Sequence, residues 1–219
     1  MAEAPHLFVL AGTNGAGKSS VGGAYMRESG GEYFNPDETT REILSENPSL
    51  GLAKANELAW RLGVRMLENA ISEGRSHAFE TTLGGSTIPA LIVSAAQAGH
   101  KLHLWYAGLD SVERHLARIA ARVASGGHDI SAEKVRERYQ SSVRNLIAVL
   151  PLATKINVYD NSAEQDPAAG APSPLLVLSA ADGKVHFPSQ LVQMQSTPNW
   201  AKPIIVRAFE VFTSPLLAT

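Results

Sequence analysis

The chain has 219 residues, no cysteine and a formal net charge of −2, with 44% of residues hydrophobic. That length suits one domain, or one domain with an appendage, and the apolar share is enough for a sizeable core. The missing cysteines exclude disulfides, thiolate catalysis and cysteine-ligated zinc. The balance of acids and bases disfavours a broad nucleic-acid-binding face. No apolar run approaches a membrane span, and no basic n-region with a long apolar stretch opens the chain. A cytoplasmic protein with neither membrane nor nucleic-acid partners is therefore expected.

The first element, residues 6–11, is a short apolar run suited to a buried parallel strand. Gly12-Thr13-Asn14-Gly15-Ala16-Gly17-Lys18-Ser19 follows and satisfies G-x-x-x-x-G-K-[ST] at every required position. Glycines let such a loop curl so that backbone N–H groups point at phosphate oxygens. The helix expected from Lys18 adds its N-terminal donors and dipole to the same anion. Lys18 is expected to reach the β- and γ-phosphates of ATP, and Ser19 Oγ to ligate Mg²⁺. Gly12, Asn14, Gly15, Ala16, Gly17, Lys18, Ser19 and Ser20 form the candidate ATP site. A flexible turn that binds nothing is the bland alternative, and an eight-residue match between strand and helix disfavours it.

Gly30-Gly31 breaks that helix, and Glu32-Tyr33-Phe34 is a short strand candidate. The turn Asn35-Pro36-Asp37-Glu38 comes next, because proline disfavours helix at Asn35. Asp37 or Glu38 opens a short helix to about residue 46. Residues 51–73 read as a long helix, with Leu52, Ala55, Ala59, Leu62, Met66 and Ala70 spaced by three and four. Residues 76–80 are a strand running into Thr81-Thr82-Leu83-Gly84-Gly85. Ser86 is the N-cap of the next helix, with Pro89 in its first turn. Residues 101–107 form another strand. Ser111 and Ser131 cap two helices separated by a loop at 125–129, and residues 154–159 are a fifth strand ending at Asp160-Asn161-Ser162. Residues 163–174 read as a linker, residues 175–187 as a hairpin around Asp182-Gly183, and residues 200–212 as a short helix.

Strand–helix alternation implies an α/β fold: a P-loop NTPase with three α/β/α layers and a mostly parallel five-stranded sheet. Residues 1–162 are the expected core, with a helical lid around 111–150. Residues 163–219 are expected to be appended to it. Ligands of such folds bind beyond the carboxyl ends of the strands, where every polar turn named above lies.

Within that frame Asp37 is the candidate general base for an attacking hydroxyl, with helix capping as its bland role. Glu80, Thr81 and Thr82 end an apolar strand and are candidates to bind the substrate. Arg114, Arg118 and Arg122 share one helix face, and Arg136 and Arg138 follow across Gly126-Gly127. Arg122 and one of Arg136 or Arg138 are the candidates to close over the polyphosphate, whereas Arg114 reads as solvated. His128, His77 and His103 take structural readings, as do Trp60 and Trp105 in the core. A GTPase would need Asp where Thr154-Lys155-Ile156-Asn157 has Asn, and an ABC-type ATPase would need a larger domain.

Several stretches together resemble the zeta-toxin family of P-loop kinases, in particular its short branch labelled predicted ABC-type ATPases. They are residues 12–20, Asn35-Pro36-Asp37-Glu38, residues 79–85, Tyr106-Ala107-Gly108-Leu109, Arg122-Val123, residues 126–130, Arg138-Tyr139 and Tyr159-Asp160-Asn161-Ser162. The resemblance covers about residues 6–162. It implies a kinase related to toxins that phosphorylate UDP-N-acetylglucosamine, with an antitoxin as candidate partner. Asp37 would be the base, Glu80 would contact the sugar nucleotide, and Arg122 with Arg136 or Arg138 would grip the phosphates. The short substrate region and the Asn-Pro-Asp-Glu turn depart from the better-known toxins. Two alternatives stay open: a kinase of another hydroxyl (dinucleotide, nucleoside or antibiotic), or a non-kinase ATP-binding regulatory module.

Overall fold

The structure is a computed structural model that describes residues 3–23, 33–127, 129–163 and 173–213. Gly30-Gly31, Glu32, His128 and most of the expected linker lie outside these residues. Five parallel strands form the centre: β1 (His6–Ala11), β2 (Tyr33–Phe34), β3 (His77–Thr81), β4 (Lys101–Gly108) and β5 (Ala153–Asp160). Among the described residues the sheet nevertheless has seven strands, in the order β2-β3-β1-β4-β5-β6-β7. The hairpin β6 (Leu175–Ala181) and β7 (Lys184–Phe187) adds antiparallel to β5. An open β5 would present unpaired backbone groups along an edge, and the hairpin satisfies them. Its turn residues Asp182 and Gly183 have φ of +51° and +74°, the conformation that a tight two-residue hairpin needs.

The helices are α1 (Pro36–Glu46), α2 (Leu52–Ser72), α3 (Thr87–Gln97), α4 (Val112–Ala124), α5 (Ala132–Val149), α6 (Leu191–Gln195) and α7 (Lys202–Val211). Side chains alternate across each strand. Leu7, Val9 and Ala11 of β1 join Leu104, Tyr106, Ile156 and Val158 on one face, where Leu67, Ile92, Leu146 and Ile204 of α2, α3, α5 and α7 complete the main core. Leu10, Ala78 and Trp105 lie in a smaller cluster with Phe8 and Val21. Trp60 and Leu62, expected inside, are 48% and 44% exposed, because the buried stripe of α2 follows Ala55, Ala59, Leu67 and Ala70 instead. No described helix is long and apolar enough to cross a membrane.

Chain order sets the crevice. From β1 the chain passes over β3 to reach β2, and from β3 it passes over β1 to reach β4. Departing connections on opposite sides of β1 open a gap at its carboxyl end, which is where the Gly-rich loop sits.

Two histidines are held neutral by the fold. His103 Nε2 lies 2.8 Å from His6 Nδ1, and Phe8 stacks on the His103 ring at 4.9 Å. Burial, then the neighbouring His6, Lys155 and Lys101, push His103 down to about 4. Burial likewise pushes His115 of α4 down to about 4. An unfolded histidine titrates near 6.5, so on acidification the unfolded chain takes up these protons first. Stability present above about pH 6.5 is therefore lost as the pH falls toward 4. The urea midpoint is expected to be lower at pH 5 than at pH 7, and His103→Gln is expected to narrow that gap; equal midpoints for the wild type would contradict this.

Candidate active site

The loop of residues 12–19 is shaped by contacts on its outer side. Gly12 has φ +147°, and a Cβ there would stand 2.3 Å from the Ala107 carbonyl oxygen. Gly17 has φ +76°, and its Cβ would meet Asn161 Nδ2 at 2.3 Å. No larger residue fits either position. The Gly12 N–H donates to the Thr81 carbonyl at 3.2 Å, which ties the start of the loop to the end of β3.

Two outward carbonyls have side-chain donors. His115 Nδ1 lies 2.8 Å from the Asn14 carbonyl oxygen, and that acceptor makes Nδ1 the protonated nitrogen. Asn161 Nδ2 donates to the Ala16 carbonyl at 2.9 Å. In a planar trans peptide the N–H points opposite to the C=O. Outward carbonyls at Asn14 and Ala16 therefore turn the N–H groups of Gly15 and Gly17 to the inner side, as an anion cradle requires. Lys18 Nζ folds back over the loop and donates to the Gly12 carbonyl at 3.1 Å. Ser19 and Ser20 are exposed at the start of a π-helical turn, Ser19–Gly23.

The next two strand ends are organised by one amide. Asn35 caps α1, its Oδ1 accepting from the N–H of Asp37 at 2.9 Å and of Glu38 at 3.3 Å. The cap is thus Asn35, and neither Asp37 nor Glu38, one residue on, serves. The other end of the same amide, Nδ2, donates to Glu80 Oε1 at 3.3 Å, and the Tyr33 hydroxyl donates to the same oxygen. Relieved of capping, the Asp37 carboxylate is exposed, and its Oδ2 stands 3.9 Å from Arg122 Nη1. A surface pair of this kind contributes about 0–1 kcal/mol, so it reports placement more than stability. Thr81 and Thr82 accept from the N–H groups of Leu83 at 2.9 Å and Gly84 at 3.4 Å, closing the turn in which buried Leu83 adopts φ +54°.

Helices α4 and α5 meet the loop directly. Arg138 Nη1 donates to Asn14 Oδ1 at 2.9 Å, and its Cγ lies 2.7 Å from where a Cβ on Gly84 would stand. Arg136 is exposed, because two residues along a helix turn a side chain about 200° away. The structure therefore brings Arg122 and Arg138 to the site and leaves Arg136 outside it. Arg118, read from the sequence as one member of a stripe, donates to the carbonyls of Asn161 at 2.7 Å and Ala163 at 3.2 Å. Arg114 pairs with Asp110 at 2.9 Å, at the N-terminus of its own helix. Ser142 of α5 donates to the Thr82 carbonyl at 2.6 Å and lies 2.9 Å from the Tyr106 hydroxyl, a phenol that burial pushes up to about 12.

Sequence reading passed over Tyr33, His115 and Asn161 as site residues. Asn161 lies in the turn that ends β5, but a turn motif does not say which carbonyl its amide will reach. An open groove of about 510 Å³ lined by Ile147, Lys202, Pro203 and Val206 lies between α5 and α7 and includes none of these groups. Among the described residues, no cluster of three His, Cys, Asp or Glu side chains is placed to hold a metal ion.

The sequence model of the zeta toxin family matches residues 1–166. An uncharacterised protein of Haemophilus influenzae is 35% identical over 128 residues, which are 58% of this chain and 88% of that protein. Two AvrRxo1-ORF1:AvrRxo1-ORF2 complexes, one with sulphate ions and one with ATP, are similar in fold. Their TM-scores are 0.63 and 0.60 at 17% and 18% identity, covering 89% and 98% of this chain. This chain spans 64% and 65% of the length of those chains. The PezAT chromosomal toxin–antitoxin system of Streptococcus pneumoniae matches with TM-score 0.51 at 16% identity, over 73% of this chain and 68% of that one.

The placement of the arginines makes a sharp expectation. Arg122→Ala and Arg138→Ala should each lower kcat by about a hundredfold or more, while Arg136→Ala should stay within about twofold of the wild type. Steady-state ATP turnover by the three variants checks this, and equal effects at Arg136 and Arg138 would contradict it.

Proposed function

We infer the function from one premise: the chain belongs to the zeta toxin family. It is an ATP-dependent phosphotransferase. Within that class, we propose that it passes the ATP γ-phosphate to a hydroxyl of a sugar nucleotide, with UDP-N-acetylglucosamine as the first candidate. The observation that carries the reading is the approach of Arg122 Nη1 to Asp37 Oδ2 at 3.9 Å. The proposed base, from α1, and the proposed phosphate-gripping cation, from α4, thus stand within ion-pair distance of each other.

In the proposed reaction the loop N–H groups and Lys18 hold the triphosphate. The Asp37 carboxylate takes the proton of the acceptor hydroxyl as its oxygen attacks the γ-phosphorus, and ADP leaves. Arg122 and Arg138 offset the charge spread over the transferring group. Ser19 would hold Mg²⁺, whose role is to neutralise phosphate charge. Glu80, kept in place by Tyr33 and Asn35, is proposed to accept hydrogen bonds from sugar hydroxyls, and Thr81 and Thr82 flank it. The toxin–antitoxin description of the PezAT structure supports an antitoxin as partner. A kinase of another hydroxyl compound is the second reading, favoured by the half-exposed Asp37, which would meet many acceptors.

ATP consumption is expected to rise with UDP-N-acetylglucosamine, giving a phosphorylated sugar nucleotide detectable by mass spectrometry. Asp37→Asn should lower kcat by about a hundredfold to ten-thousandfold with ATP affinity largely kept. Phosphorylation of a different metabolite would replace the acceptor and keep the kinase, and a wild-type kcat for Asp37→Asn would remove the base.

A further inference from the structure

We propose that Trp200, which lies beyond the family match at residues 1–166, is a positioning residue for the ATP site. Its indole Nε1 donates to Asp160 Oδ1 at 2.9 Å. The same carboxylate oxygen accepts from Ser162 Oγ at 2.6 Å, and Ser162 Oγ accepts from the Asp110 N–H at 2.8 Å. One carboxylate thus joins three segments: the turn after β5, the turn that opens α4, and the C-terminal segment.

Between the two anchored residues stands Asn161. Its N–H donates to the Gly108 carbonyl at 2.9 Å, its Nδ2 holds the Ala16 carbonyl, and its own carbonyl receives Arg118. Asn161 therefore acts on the phosphate loop directly, and Asp160 and Ser162 fix the backbone on either side of it. The indole ring completes the arrangement. Its carbons lie 2.3–2.6 Å from where a Cβ on Gly108 would stand, so the ring rests on the strand end where only glycine leaves room. Its centroid is 6.1 Å from that of Tyr106. With the ring seated, the N–H has a defined direction, and a charged acceptor makes that hydrogen bond a strong one. The contacts of Trp200 run to Asp160, Gly108 and Tyr106, so its effect on ATP passes through Asp160 and Asn161.

This inference rests on residues 12–19 being the ATP site. Calorimetric titration of the full-length chain with ATP and Mg²⁺ tests both. Trp200→Phe keeps an aromatic ring over Gly108 and removes the N–H. It should raise the ATP Kd by about threefold to tenfold, the part of the lost hydrogen bond that is felt at the loop, while the urea midpoint without ATP falls by no more than one such bond contributes. Asp160→Ala should raise the Kd at least as much. The double variant should be no worse than Asp160→Ala, because both changes break one linkage. An unchanged Kd for Trp200→Phe, or losses that simply add, would overturn the proposal. If Trp200→Phe fails to fold, Asp160→Ala decides alone, and an unchanged Kd there overturns it. Absence of ATP binding by the wild type would overturn the ATP site and this inference together.

Discussion

A backbone N–H can face a phosphate only if the carbonyl of the same peptide has somewhere else to go. The loop of residues 12–19 depends on that constraint. The Asn14 carbonyl goes to His115 and the Ala16 carbonyl to Asn161. Each donor comes from a different strand–helix connection, His115 from α4 and Asn161 from the end of β5. The cradle is therefore assembled by tertiary structure, and its motif supplies only the glycines that let it bend. Burial that keeps His115 neutral suits this role, since a single proton on Nδ1 is all the hydrogen bond needs.

The same economy runs through the neighbouring strand ends. Asn35 uses both ends of its amide, Oδ1 to start α1 and Nδ2 to steady Glu80. Capping by Asn35 leaves Asp37 exposed in the first turn, within reach of Arg122. Asn14 is held at its backbone by α4 and at its side chain by Arg138 of α5. Both α4 and α5 thus touch one loop residue, and a shift of either helix is felt at the loop.

Much of this was legible in the sequence. Short apolar runs mark the buried parallel strands and period-3.6 patterns the long helices, and Ser111 and Ser131 cap the helices they were expected to cap. Gly12 and Gly17 announce the loop because no other residue fits those backbones. What was not legible depends on contacts between distant elements. The hairpin joins the sheet because β5 has an edge to cover, and local pattern cannot see an edge. Trp60 is exposed and Trp105 buried, although both are large and apolar, because helix rotation on the sheet decides which face is covered. Arg136 and Arg138 were indistinguishable as residue types, and only the docking of α5 separates them. His115 carries no motif signal and Asn161 only a place in a turn, because their partners are backbone carbonyls far away in sequence.

This ring of strand ends is, on the reading proposed above, a phosphotransfer site built on the loop. Transfer of labelled γ-phosphate from ATP into a cell extract, by the wild type and by Lys18→Ala, tests it most directly. A labelled small-molecule product is expected for the wild type, and none above background for a Lys18→Ala protein with an unchanged urea midpoint. Equal labelling by the two proteins would contradict it.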